Sequence, residues 1–516
     1  MDINTKDVKR VTEVKETMSM RRTKLIAIQC AVVLIATLAF APIGASPASA
    51  RRSAADPNAA APLYAIKGAT IHTAAGPVIT NGTIVMRNGV IEDVGANVTA
   101  PADAFVIDAA GLHMYPGLID MDNAVPLEGE AQAAAGGGGG RGGAGGGGGA
   151  APAFATLEEA ERAKRTAIMR PNYMAAENLR PGTAALQALS SAGVTSVLAV
   201  PSQGIFKGQS ALVNVAIPPD DPQISTIADY RGGLAVVKSP VATHVNMAGR
   251  GGGQGYPGAL LGTIAFTKQG FLDAQWQRDA EAQYQKAGAK GPRPVIEPAL
   301  DALKPALAKQ MPVAFDVNEA REIDRALAMA AEYGLDPIVV GAAYAAERKT
   351  ELAAAKARVI LSLNLPGGGG GGAQAAGGGA GGGRGGGGGT SLRIMKFQAD
   401  APKVPAALAQ ANVPFAFSSG GATPANFVRN AGRVIKEGGL AADAVLRALT
   451  IDAARMAGAA DRIGSLEKGK IANLVVTEGD LFDGGRVRHV FIDGRPVEVV
   501  EPAAAGANTG RGRGGR

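Results

Sequence analysis

The chain is 516 residues long, enough to bury a large core and to form more than one domain. Its single cysteine, Cys30, lies inside an N-terminal apolar run, so the remainder holds no disulfide, no thiolate metal site and no cysteine nucleophile. The formal charge of +7 falls to an excess of four, 45 basic against 41 acidic side chains, once residues 1–50 are set aside, and so mild a balance implies no nucleic-acid partner.

Residues 1–50 have the three-part form of a secretory signal peptide. A charged lead precedes the basic Arg21, Arg22 and Lys24, an apolar stretch runs from Leu25 to Phe40, and Ala48-Ser49-Ala50 supplies a small-residue cleavage site. The apolar stretch falls short of the ~20 residues that a membrane span needs. The expected product is an exported protein, periplasmic or secreted, with no stable membrane span after cleavage.

Short β-rich runs follow at Tyr64 to Ile71, Gly82 to Arg87, Val90 to Val94 and Phe105 to Asp108, with Asn88-Gly89 as a hairpin signal. The far end repeats the pattern at Asn473 to Thr477, Arg488 to Asp493 and Pro496 to Val500. Neither flank has enough strands to close a sheet alone, so the two are expected to pair into one small β-domain.

Between the flanks the pattern changes. Val194 to Val200, Val313 to Val317, Pro337 to Val340, Arg358 to Leu363 and Pro414 to Phe417 are short apolar runs of the kind that parallel strands need. After the second of these, Ile323, Ala326, Leu327 and Ala330 recur at helical spacing, with Asn318 as the expected cap and Gly334 as the stop. Glu158 to Met169 and Ala441 to Leu449 are further expected helices. Repeated strand–helix units predict an (α/β)8 barrel, with a doubly wound sheet as the alternative. Glycine-rich inserts at 136–149 and 367–389, the short run Gly249 to Gly253 and the tail 501–516 cannot bury apolar surface and read as loops.

The segment Tyr115-Pro116-Gly117-Leu118-Ile119-Asp120 follows directly on the first β-flank. With "ATIHTAAGPVITNGTIVMRNGVIEDVG" before it, and "DRIGSLEKGKIANLVV" and "VFIDGRPVE" near the end, the chain resembles the amidohydrolase superfamily, in the imidazolonepropionase-like form with a composite domain. The resemblance implies a composite β-sandwich from 63–112 and 461–500 around a barrel at 113–460. It also implies hydrolysis of C–N bonds other than peptide bonds. Within the closing motif, Gly464 to Lys470 has the spacing of a phosphate-binding loop, but Ile471 follows where a hydroxyl residue is required, and a strand follows rather than a helix.

Members of the superfamily activate water on one or two divalent metals, held by histidines on the first, fifth and sixth strands, with an aspartate at the end of the eighth. Here the first-strand His-x-His position reads Asp122-Asn123-Ala124, the fifth-strand histidine falls on Asp316, the sixth near Gly341, and the eighth-strand aspartate on Gly420. None of the four histidines, His72, His113, His244 and His489, occupies a ligand position, and no pair has a metal-binding spacing. No metal and no other cofactor is therefore expected.

Asp122, Asn123, Asp316, Ser418 and Ser419 remain as candidate pocket residues. The two aspartates are remnants at a solvated mouth, or recognise a polar ligand, or hold a hard cation or share a proton for catalysis. Only the last reading calls for a divalent metal. Lys238 is an unplaced candidate for a bridging lysine, and Ser418 and Ser419 have no identifiable histidine partner. The expected role is a metal-degenerate barrel that binds a small molecule or a partner, as a homo-oligomer or in a hetero-oligomer with an active relative. The alternative is an active C–N hydrolase built around Asp122 and Asp316.

Overall fold

In the computed structural model the described residues are 63–127, 156–180, 183–216, 229–231, 234–247, 257–366 and 392–500. The signal-peptide reading, the glycine-rich inserts and the tail lie outside them.

Five strands open the described chain: β1 (Leu63–Ile71), β2 (Ile79–Arg87), β3 (Val90–Gly95), β4 (Phe105–Asp108) and β5 (His113–Pro116). Asn88 and Gly89, both with positive φ, form the two-residue turn that sets Arg87 opposite Val90. Eleven strands make up the middle: β6 (Leu118–Asn123), β7 (Val194–Ala199), β8 (Phe206–Gln209), β9 (Ala211–Asn214), β10 (Asp229–Arg231), β11 (Leu234–Lys238), β12 (Thr243–Asn246), β13 (Val313–Val317), β14 (Pro337–Gly341), β15 (Arg358–Ser362) and β16 (Phe415–Ser418). Three strands close the chain: β17 (Leu474–Glu478), β18 (Arg486–Ile492) and β19 (Arg495–Val497).

The two flanks share one eight-stranded sheet in the order β19-β18-β17-β5-β1-β2-β3, with β4 also on β1. The join is antiparallel between β17 and β5, where Val475 faces Tyr115. Ile66, Ile84, Met86, Ile91, Met114, Leu474 and Phe491 form its own buried cluster. Burial of these alternating positions, each contributing roughly 1.5–3 kcal/mol, is what holds sequence-distant ends together.

The middle is a mixed α/β arrangement and departs from eight parallel strands. It consists of a five-stranded ladder, β10-β11-β9-β7-β6, and a six-stranded ladder, β16-β15-β14-β13-β12-β8. β12 to β16 are parallel neighbours, β13 to β16 falling on the expected apolar runs, but β9 runs antiparallel to β7 and β11, and β8 antiparallel to β12. The reason is local. Only Ser210 separates β8 from β9, and its backbone bonds to Ala242 O and from Val241 N, so the chain passes from one ladder to the other with no helical crossover. Beyond the ladders, β16 meets β6 where the Ser419 N–H donates to Asp120 Oδ1 at 2.8 Å.

Side chains of both ladders meet in one interior cluster. Ile119, Met121, Leu198, Leu212, Ala314, Ile338, Ile360 and Ala416 pack there against Ala453, Ala454 and Met456 of the helix Ile451–Met456. The helix Ala320–Tyr333 buries Ile323, Ala326, Met329 and Ala330 and stops at the left-handed Gly334. Its N-cap is Glu319, not Asn318, because the Glu322 carboxylate reaches back to both the Asn318 and Glu319 N–H groups and completes a capping box. The 27-residue helix Leu260–Lys286 has no clear apolar stripe in the sequence and leaves Trp276 and Leu272 exposed.

Candidate functional site

Parallel register brings the C-terminal ends of β13 to β16 level, with Asp316 opposite Val340, Val317 opposite Gly341 and Ser362 opposite Ser418. Beside these ends lies a cavity of about 200 Å³. Asp122, Ser362, Asn364, Ser418, Gly341 and Gly420 line its polar part, and Leu361, Leu363, Phe397, Val404 and Phe417 its apolar part. Four positions singled out from the sequence on three separate segments thus share one wall. A larger groove, about 800 Å³, runs between the helices Leu157–Ile168 and Leu260–Lys286, but side chains of the two helices such as Glu158, Arg162, Arg165 and Asp273 make its rim.

Asp316 stands next to this wall in an ion pair. The Lys207 ammonium on β8 donates to Asp316 Oδ2 at 2.7 Å, and the two side chains are only 8% and 21% exposed. The Asp316 Oδ1 atom is buried with no hydrogen-bond partner. Burial pushes the Asp122 carboxyl up to about 7 against the pull of the Lys207 ammonium, while the Asp316 and Asp120 charges add to the rise. A lysine, two aspartates and a third buried aspartate therefore form one electrostatic unit.

The third is Asp120. It is fully buried, and burial raises its pKa, partly offset by bonds from the Asn123 amide at 2.8 Å and the Ser419 N–H. Asn123 and Ser419 thus serve Asp120 rather than the cavity, and Asn123 Oδ1 also accepts from Val125 N. Ala124 only supplies a backbone acceptor to Leu127 N. Lys238 is remote in role, its ammonium capping Gly458 O at 2.8 Å.

The histidines lie elsewhere in function. His244 is buried beside Ser210, 2.9 Å from its Oγ, and burial, then Lys207, lowers its pKa well below the ordinary value, so it stays neutral. Neither His244 nor Ser210 is exposed, which rules this pair out as a nucleophile and base facing substrate. His72 and His113, 41 residues apart, meet at 3.2 Å and stack with Tyr115 in the flank sheet. His72 lies just past β1 and His489 in β18.

The residues present do not fit a divalent metal. Among the described residues no group of three or more His, Cys, Asp or Glu is placed to hold one. Asp122 and Asp316 already face the Lys207 ammonium. That ammonium offsets part of the attraction these carboxylates would exert on a cation. The other two positions are closed to side chains. Gly341 has φ +88°, and a Cβ there would stand 2.7 Å from Val317 O. Gly420 has φ +55°, and its Cβ would stand 2.7 Å from Ser362 Cβ and overlap Ser362 Oγ.

Lys207 and Asp120 are the residues that sequence reasoning missed. Asp120 sits in the motif itself, and Lys207 is the one charge in the otherwise uncharged run Ile205 to Val215, a signal that was readable.

The sequence model of the amidohydrolase family matches residues 391–497. A solved amidohydrolase from Thermotoga maritima MSB8 has a similar fold, with a TM-score of 0.63 and 21% identity over 84% of this chain and 99% of that one. A dihydroorotase of Geobacter sulfurreducens is 55% identical over 38 residues, 7% of this chain and 9% of that protein. The chain thus matches less than a tenth of that relative's length.

Proposed function

We propose that the chain is an exported, metal-free member of the amidohydrolase superfamily that binds a small molecule or a partner at the cavity beside Asp122 instead of hydrolysing a C–N bond on metal-activated water, a reading supported by the family match over residues 391–497. The observation that carries the reading is the Lys207–Asp316 pair, a tethered positive charge on the carboxylate that the resemblance aligns with a metal ligand. The backbone of Gly341 and Gly420 supports it, since neither accepts the missing ligand side chain. Export rests on the form of residues 1–50. In the partner form of the reading, the chain assembles with itself or with a metal-complete relative.

Asp122 favours a second reading. A carboxyl held near 7, beside an ammonium and a second carboxylate, has the protonation range of a general acid or base. In that case Asp122 would move the proton, Lys207 would steady the developing charge, and the substrate would be a C–N bond other than a peptide bond.

Elemental analysis of the purified protein after dialysis separates the metal-free account from a metal hydrolase: zinc, manganese and iron are expected well below one equivalent, and a retained full equivalent overturns it. Turnover of amide, lactam or cyclic-imide substrates that vanishes in Asp316→Asn would establish the second reading.

A further inference from the structure

We propose that the cavity beside Asp122 takes a small ligand that carries a primary ammonium group on a branched apolar body. This rests on the ligand-binding reading above and names its ligand class.

The polar part of the cavity pairs one charged acceptor, Asp122, with the neutral hydroxyls of Ser362 and Ser418 and the amides of Asn318 and Asn364. Among the described residues, Asp122 presents a carboxylate that receives no hydrogen bond, its own N–H being turned to Asp120 Oδ1. The Asn364 amide nitrogen is already committed to Gly420 O. A ligand N–H therefore meets an acceptor that the protein leaves open.

Charge selects the sign of the ligand. Among the described residues, the charged groups acting on Asp122 are Asp120 and Asp316 against Lys207, and Lys207 is already bonded to Asp316. An anion would add to the crowding of carboxylates, whereas an ammonium pairs with Asp122. Metal cations, which the same charge would attract, find no group of three or more His, Cys, Asp or Glu placed to hold them among the described residues.

Size and wall set the rest. The cavity holds about 200 Å³, the space of about seven waters. That is below the ~300 Å³ at which drug-sized pockets begin. Leu361, Leu363, Phe397, Val404 and Phe417 form a wall that rewards hydrocarbon and offers no second charge. A compact hydrocarbon body with one ammonium matches both ends.

The test is calorimetric titration of the full protein at pH 8 with three near-isosteric probes: 3-methylbutylammonium, 3-methylbutanol and 3-methylbutanoate. The ammonium is expected to bind at least tenfold more tightly than the alcohol, and the carboxylate not to bind. Asp122→Asn should bring the ammonium down to the level of the alcohol, and Val404→Phe, which fills the apolar end, should weaken both. If the alcohol or the carboxylate binds as well as the ammonium, or if none of the three binds, the proposal is wrong. Parallel dialysis against Mn²⁺ separates this failure from that of the parent reading: uptake of a full equivalent overturns the metal-free account, and its absence leaves only the ligand class refuted.

Discussion

Lys207 and Asp316 lie 109 residues apart in sequence and 2.7 Å apart in space, and each is held by a strand that is antiparallel or parallel to the same β12. This pairing neutralises Asp316 within the protein and leaves Asp122 beside it. Its energetics follow from burial. Removing one member leaves the other unpaired in a region with little water, at a cost of about 3–5 kcal/mol. Lys207→Met should therefore lower stability by about that amount in urea unfolding, as should Asp316→Leu. The double variant should recover most of the loss, because two apolar side chains leave no orphaned charge.

The glycine at position 420 is a structural requirement. Gly420→Ala meets both a left-handed backbone and the Ser362 side chain. Strain of ~1–3 kcal/mol from the first and a similar ~1–3 kcal/mol from the second predict a loss of several kcal/mol, read as a fall in urea midpoint. Gly420→Asp should be at least as damaging and should bring no gain in metal affinity.

Raised carboxyl groups make the protein less stable toward neutrality. Burial holds Asp122 at about 7 and Asp493 at about 6 in the folded chain, both above the ordinary carboxylate range. Between about pH 4 and these values the folded state keeps protons that the unfolded chain releases, so stability falls as pH rises through that window and levels off above it. Asp122→Asn should flatten the upper part of this decline, between pH 6 and 7, with Asp493 left to account for the lower part. A thermal-denaturation series that falls equally steeply in the variant would refute the assignment.

The His72–His113 contact predicts the opposite slope. Burial, then the facing His113, lowers the His72 pKa, so the folded protein resists a proton that the unfolded chain accepts near 6.5. Stability tied to this pair is complete above that value and is lost as pH falls through the lower folded pKa. His113→Gln removes the charge repulsion and should make the melting temperature less sensitive to acid between pH 6.5 and 5.

Legibility from sequence followed the range of the interactions. The parallel run β13 to β16 was readable because each strand is buried on both faces, and Val313, Phe315, Val339 and Val359 declare that locally. The joining of the two flanks was readable because neither could bury its own apolar face. The antiparallel β8 to β11 was not, since Phe206-Lys207-Gly208-Gln209 has no strand period of its own and takes its direction from β12. At the site, the motif ending in Asp120 located Asp122, whose first-strand position needed only local alignment. Lys207 escaped notice because its meaning lies wholly in a partner 109 residues away. The pairing of His72 with His113 was hidden for the same reason, since it depends on the parallel pairing of Thr70 and Ile71 in β1 with His113 and Met114 in β5.

The metal-free proposal rests on the Lys207–Asp316 ion pair. The most direct measurement is titration of the chelator-treated protein with Mn²⁺, followed by the electron paramagnetic resonance signal of the free ion. The account predicts that the wild-type protein leaves the signal at its protein-free level. Loss of the signal in proportion to protein, up to a full equivalent, would contradict it.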